Sequence, residues 1–198
     1  MMRIHRAAVA AVVVGGLLAG CGGTTATGPA TTTTPSGGRA APAGSQERHN
    51  QDDVVFLQDM LRHHSQTGTM SDLAHTKATS SKVKGFALRI KAAEDQQVTR
   101  IHDLLGAWGV AISAGDGGDR QVPGMLSDQQ LQQLKSATGG DFDQLFLRLM
   151  IEHQQGAIQM SQTELGQGSD PQARRLAQDT VTGQQANINQ MQKLAPPS

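Results

Sequence analysis

The fold is decided by the stretch Phe56-Leu57-Gln58-Asp59-Met60-Leu61-Arg62-His63-His64, with Met70-Ser71 further on, because this stretch occurs twice. A step of 90 residues lays Phe146, Leu147, Met150, His153, Met160 and Ser161 over Phe56, Leu57, Met60, His63, Met70 and Ser71 without a gap. The same offset places Ala177 on Ala87, and Ile188 and Met191 on Val98 and Ile101. Apolar residues in both copies recur at helical spacing, with no convincing strand-like alternation. Each copy therefore reads as a helical hairpin. Two hairpins, each with one apolar stripe, bury those stripes against each other, so the expected fold is an all-α four-helix bundle.

Start and stop signals set the bounds. The first helix is expected over about Gln51 to Lys77, capped by Asn50. The second follows Thr79-Ser80-Ser81 and ends at Gly106 or Gly109. A Gly/Asp-rich stretch, Gly109 to Val122, leads to Pro123 and a short helix opened by the capping box Ser127 to Gln130. The third long helix should begin after Gly139-Gly140 with Asp141 as its cap and reach about Gln167. Ser169-Asp170-Pro171, a cap followed by proline at the first helical position, opens the fourth, which runs towards Leu194. The repeats thus span about 51–108 and 141–194 within a domain of residues 49–198.

Upstream, the chain changes character. Residues 21–48 are almost entirely Gly, Thr, Pro, Ala and Ser, a composition that cannot bury a core and reads as a disordered tether. Before it, Arg3 and Arg6 precede an apolar run from Ala7 to Leu18 and then Leu18-Ala19-Gly20-Cys21. This is the pattern of a signal peptide over residues 1–20. Leu-Ala-Gly-Cys resembles the bacterial lipobox, in which cleavage leaves a lipidated cysteine, here Cys21, as the first residue. The expectation is an exported protein, anchored by lipid to the outer face of the bacterial cell membrane. A plain signal peptide cut at small residues, with Cys21 incidental, is the alternative.

Cys21 is the only cysteine, which excludes an internal disulfide, a thiolate zinc site and an iron–sulfur cluster. Loss of Arg3 and Arg6 leaves 15 basic against 17 acidic side chains, a net charge of −2 with histidine neutral. With no basic run, nothing points to nucleic acid.

The motifs Met60-Leu61-Arg62-His63-His64 with Met70, and Met150-Ile151-Glu152-His153-Gln154 with Met160, resemble the twin signatures of the domain of unknown function 305 family, as do the Gln-rich turns around Gln184-Gln185. The resemblance covers about Asn50 to Leu194. It implies a ferritin-like four-helix fold, an exported location and, as proposed for some members, a role in copper binding or tolerance. The chain departs from the pattern at Gln154, where a second histidine is usual, at Thr67-Gly68-Thr69, where Ala and an aliphatic residue are common, and at Ile101, which replaces the methionine matched by Met191.

At about 100° per residue, Met60, His63, His64 and Met70 fall at roughly 0°, 300°, 40° and 280° around the first helix, an arc of about 120°. Met150, His153 and Met160 share a side of the third long helix in the same way. Methionine at helical spacing commonly fills core gaps, and a buried histidine commonly satisfies a hydrogen bond. Against that bland reading, thioether with imidazole is a ligand set suited to copper. His63 and His153 lie near mid-helix, so they come together whether the bundle is up-down or has a long crossover; Met60 and Met70 lack that security. The expected ligands are therefore His63 and His153 centrally, Met60, Met150 and His64 in support, and Met70 and Met160 farther out, with His49 and His102 next. Binding through ordinary neutral imidazoles should weaken through about pH 6 to 6.5. The function expected is metal sequestration or tolerance, without catalysis. The rival is a structural or protein-interaction envelope lipoprotein with no metal. A di-iron oxidase is disfavoured because no Glu-x-x-His pair occurs, and a c-type haem because Cys-x-x-Cys-His is absent.

Lipidation is directly testable. Cells fed a clickable fatty acid should label the wild-type protein and not Cys21→Ala; equal labelling of both would end the lipoprotein reading.

Overall fold

Three of the four long helices begin where a side chain can satisfy the free amide groups of the first turn. In the computed structural model, which describes residues 49–112 and 121–195, α1 (Gln51–Lys77) opens with a capping box between Asn50 and Asp53. α2 (Ser81–Ala107) is capped by Ser80. It ends at Gly109, whose φ of 68° allows the paired closing bonds Gly109 N to Gly106 O and Val110 N to Leu105 O. α3 (Asp128–Ser136) has the expected box between Ser127 and Gln130. α5 (Pro171–Leu194) starts at the Asp170 cap with Pro171 behind it. The exception is α4 (Gly139–Gln167), which starts earlier than its sequence suggests. Gly139 takes a φ of 61°, turning the chain into the helix directly after Thr138, which makes no side-chain cap bond. Asp141 is therefore not the cap; it lies in the first turn, where its charge favours the helix dipole. The expected signal peptide, Cys21 and the expected linker lie outside the described residues, as do residues 113–120 of the Gly/Asp-rich stretch.

The described chain is all-α, with no strand, and its four long helices form a ferritin-like bundle of two repeated hairpins. Two clasps fix the direction of α1 against α4. Asp53, at the start of α1, accepts bonds from Ser169 N, Ser169 Oγ and Asp170 N in the α4–α5 turn at 3.0 Å each. Asp143, at the start of α4, accepts from Thr79 N, Thr79 Oγ1 and Ser80 N in the α1–α2 turn at 3.0, 2.7 and 2.8 Å. Asp53 and Asp143 are equivalent positions of the two repeats, so the same clasp is made twice about a pseudo-twofold. α1 and α4 therefore run antiparallel, and the segment from Trp108 to Thr138 is a crossover carrying α3, not a simple up-down turn.

The crossover is held tightly where it passes the bundle. Gln66 bonds both the amide and the carbonyl of Leu126, at 2.7 and 3.1 Å. A methyl group added to Gly156 of α4 would collide with the backbone of Pro123 and Gly124, and one added to Gly124, at φ 78°, would lie 2.6 Å from the His153 carbonyl oxygen. The crossover thus lies against α4 beside His153.

Two apolar clusters fill the ends of the bundle. One gathers Met70, Phe86, Ile90, Leu134, Phe142, Phe146, Met150 and Met191; the other gathers Phe56, Met60, Ile101, Leu105, Met160 and Leu176. Among the described residues no helix is long and apolar enough to cross a membrane.

Asp53 is fully buried, and burial pushes its carboxyl up. Bonds from Asn50, Glu164, Asp170 and Ser169 outweigh that effect and hold it below the usual aspartate value. Its removal strands the buried amide of Asp170 and the part-buried amides of Asn50 and Ser169, whereas the Asp143 clasp is mostly exposed. Asp53→Ala should therefore lower stability by about 2–4 kcal/mol and Asp143→Ala by about 1 kcal/mol or less, read from urea unfolding midpoints. Equal losses would refute this account of the clasps.

Candidate metal centre

Between the two apolar clusters lies a polar layer. His63, His64 and Thr67 from α1, Glu94 from α2, His153 and Gln154 from α4, and Thr180 and Gln184 from α5 are all buried at mid-height of the bundle. Each sits on a face whose neighbouring turns are apolar, so helical periodicity alone delivers them to the interior.

His63 and His153 meet, as their mid-helix positions require. Their ring centroids are 3.6 Å apart with planes tilted by 35°, and His63 Nε2 donates to the His153 carbonyl oxygen at 2.9 Å. A carbonyl can only accept, so the proton of a neutral His63 is on Nε2 and its Nδ1 carries a lone pair. His63 Nδ1 and both ring nitrogens of His153 are buried with no hydrogen-bond partner. Burial, with His153 and His64 nearby, holds His63 well below the ordinary histidine value, against the pull of Glu94. Burial first, and then His64, hold His153 at about 3. Both rings are therefore neutral over the physiological range, the form in which imidazole binds a metal. The loss of binding expected through pH 6 to 6.5 assumed ordinary histidines; burial moves that loss to lower pH.

His64 is placed differently. Its ring stands edge-on to His63 at 6.2 Å; Nδ1 is 2.8 Å from Glu94 Oε2, and Nε2 donates to Gln97 Oε1 at 3.0 Å. A lone pair on Nδ1 would repel the carboxylate, so that contact is favourable with a proton between them. Burial pushes Glu94 up, but His64, Gln184 and Thr67 outweigh it and hold the carboxyl below the ordinary glutamate value. Gln184 donates to Glu94 Oε1 at 3.0 Å across the α2–α5 interface. Glu94 and Gln184 are repeat-equivalent, as are His64 and Gln154. The first hairpin thus carries a histidine–glutamate pair where the second carries two amides, and both polar atoms of Gln154 are without a partner.

All four flanking methionines are buried, but the antiparallel arrangement sorts them across the repeats. Met60 joins the cluster of Met160 and Met70 that of Met150, one pair towards each end of the bundle. His49 lies away from this layer, stacked on Trp108 at 4.2 Å, and His102 is exposed. Among the described residues no three His, Cys, Asp or Glu side chains are grouped as a ready metal site. The residues fit a soft metal in part: unpaired neutral imidazole nitrogens with thioethers near them. The lone pairs lie in the ring planes, so one ion shared by His63 and His153 requires at least one ring to rotate out of the stack. Glu94 is the main residue not singled out from the sequence. Its signal was a lone acid on the apolar face of α2 in register with Gln184.

A four-helix bundle of duplicated hairpins with a histidine-centred polar layer defines the class. The chain belongs to the DUF305 family, whose model, described as a domain of unknown function, matches residues 53–195. Three solved structures are similar. A DUF305 protein of Streptomyces coelicolor described as secreted is 25% identical, with a TM-score of 0.67 over 72% of this chain and 91% of that one. A DUF305 fragment from Deinococcus radiodurans is 28% identical, with a TM-score of 0.66 over 73% and 95%. CopM in its Cu(I)-bound form is 27% identical, with a TM-score of 0.58 over 72% and 94%; silver-bound and apo forms of CopM match as well. No curated protein sequence matches the chain significantly.

Two histidines with depressed folded values bind protons more readily when unfolded. Their contribution to stability is intact above the unfolded value of about 6.5 and is lost as pH falls towards the folded values. The melting temperature of the metal-free protein should therefore fall between pH 6.5 and 4, and His63→Gln/His153→Gln should flatten that fall. An unchanged slope in the double variant would contradict the burial of neutral rings.

Proposed function

We propose that this protein is an exported envelope lipoprotein, anchored through Cys21, that binds copper within its bundle and sequesters it. The observation that carries the reading is the close, neutral pair His63 and His153, in which His63 Nδ1 and both ring nitrogens of His153 lack partners between two methionine-bearing clusters. Leaving such groups unpaired in a core is costly, and a metal ion relieves the cost. Similarity to CopM, which has Cu(I)-, Cu(II)- and silver-bound forms, supports copper as the metal. His63 and His153 are the central ligands in this proposal. Met60 and Met150, one turn before each histidine, are the nearest thioethers along the helices, and Met70 and Met160 complete the outer pairs. His64 joins only by giving up Glu94 and Gln97, so its first role is to hold those two side chains beside the site. Bound copper supplies no reaction here; the protein's work is to hold it. The His63 bond to the His153 carbonyl favours one rival, a metal-free structural or interaction lipoprotein in which the pair is simply core.

Copper titration of the full chain, with metal counted after gel filtration, tests the proposal. His63→Gln/His153→Gln should abolish tight binding while leaving the helical circular dichroism unchanged. Wild-type affinity should persist below pH 6, since both rings stay neutral there. Copper binding by the double variant equal to wild type would move the site elsewhere, and no tight binding by either would favour the rival.

A further inference from the structure

A second feature of the first hairpin concerns how an ion reaches the buried layer. A cleft of about 360 Å³ opens between α1 and α2, with Ser65, Asp95 and His102 exposed around it and His64 as its one buried lining residue. His64 therefore forms the floor. Its ring stands 6.2 Å from that of His63, so the floor of the cleft is also a wall of the histidine layer.

Gly68 lines this cleft in the middle of α1, and a Cβ added there would meet no atom within 4 Å. Glycine is the poorest interior helix former short of proline. Gly156 is explained by the crossover backbone lying against it, and Gly106, Gly166 and Gly183 are as open as Gly68. Gly68 differs in lining this cleft, where a side chain would narrow it. The other repeat supplies an internal comparison. The equivalent of Gly68 is Ile158, partly buried against the apolar core, and the equivalents of Asp95 and His102 are Gln185 and Gln192. The open wall and the rim of Asp95 and His102, with Arg62 beside them turned to Asp59, thus belong to the hairpin that carries His64.

We infer that the α1–α2 cleft is the route by which a soft metal cation enters the bundle, with Asp95 and His102 at its mouth, His64 at its floor and Gly68 keeping it open. This rests on the proposed copper site. It predicts that filling the cleft changes rates more than affinity, because a gate slows entry and exit alike.

Gly68→Ile copies the second repeat and improves helix propensity, and Gly68→Ala is the milder member of the series. Stopped-flow mixing of Cu(I), delivered from a weak chelator, with the full chain should show association slowed about tenfold or more in Gly68→Ile and by less in Gly68→Ala. The equilibrium dissociation constant should stay within about threefold of wild type, since the ligands are untouched. Wild-type association rates in both variants, with tight binding retained, would overturn the inference and point to the cavity of about 190 Å³ beside Met160 and Glu164. A loss of affinity in Gly68→Ala carried by faster dissociation alone, with the association rate unchanged, would also overturn it. No tight binding by the wild type would remove the copper site and this route together.

Discussion

The contact between His63 and His153 constrains everything around it. Two imidazoles stacked at 3.6 Å in the middle of a bundle can persist only if both are neutral, if the helices carrying them are locked in register, and if the space around them admits little water. The antiparallel pairing of α1 and α4 supplies the register, and the repeated Asp53 and Asp143 clasps supply the lock at the two ends. The crossover closes one side by placing Gly124 against the His153 carbonyl. The apolar clusters above and below stabilise the bundle enough to tolerate a layer of poorly satisfied polar groups between them.

The two halves have diverged around a shared frame. The aspartate clasps, Phe56 and Phe146, the central histidines and their flanking methionines match across the repeats. Several of the differences gather beside the histidine layer. His64 and Glu94 have Gln154 and Gln184 as their counterparts, so one hairpin holds a histidine–glutamate pair where the other holds amides. Gly68 and Ile158 differ at the neighbouring turn. The clasps and central histidines are thus kept in duplicate, while His64, Glu94 and Gly68 belong to the first hairpin alone.

Much of this was legible in the sequence because it rests on local rules. Asn50, Ser80, Ser127 and Asp170 cap helices through their own side chains, and the repeat placed His63 and His153 together without knowledge of the topology. What was not legible depends on contacts distant in sequence. Asp53 and Asp143 fix the antiparallel arrangement through turns in the other hairpin. That arrangement in turn pairs Met60 with Met160 instead of Met150. The start of α4 was misplaced because a left-handed Gly139 can open a helix without a capping side chain. Glu94 escaped notice because a single acid on an apolar face is informative only once its partner His64 is known to be buried beside it.

The central claim is that the buried pair, and not the exposed histidines, receives the metal. Silver(I) is a diamagnetic soft cation, so its binding can be followed on the ring nitrogens of protein carrying ¹⁵N-labelled histidine. The account predicts that the His63 Nδ1 and His153 resonances move together on silver addition, while those of His49, His75 and His102 stay in place until excess metal is present. Movement confined to the exposed rings, with His63 and His153 unchanged, would contradict it.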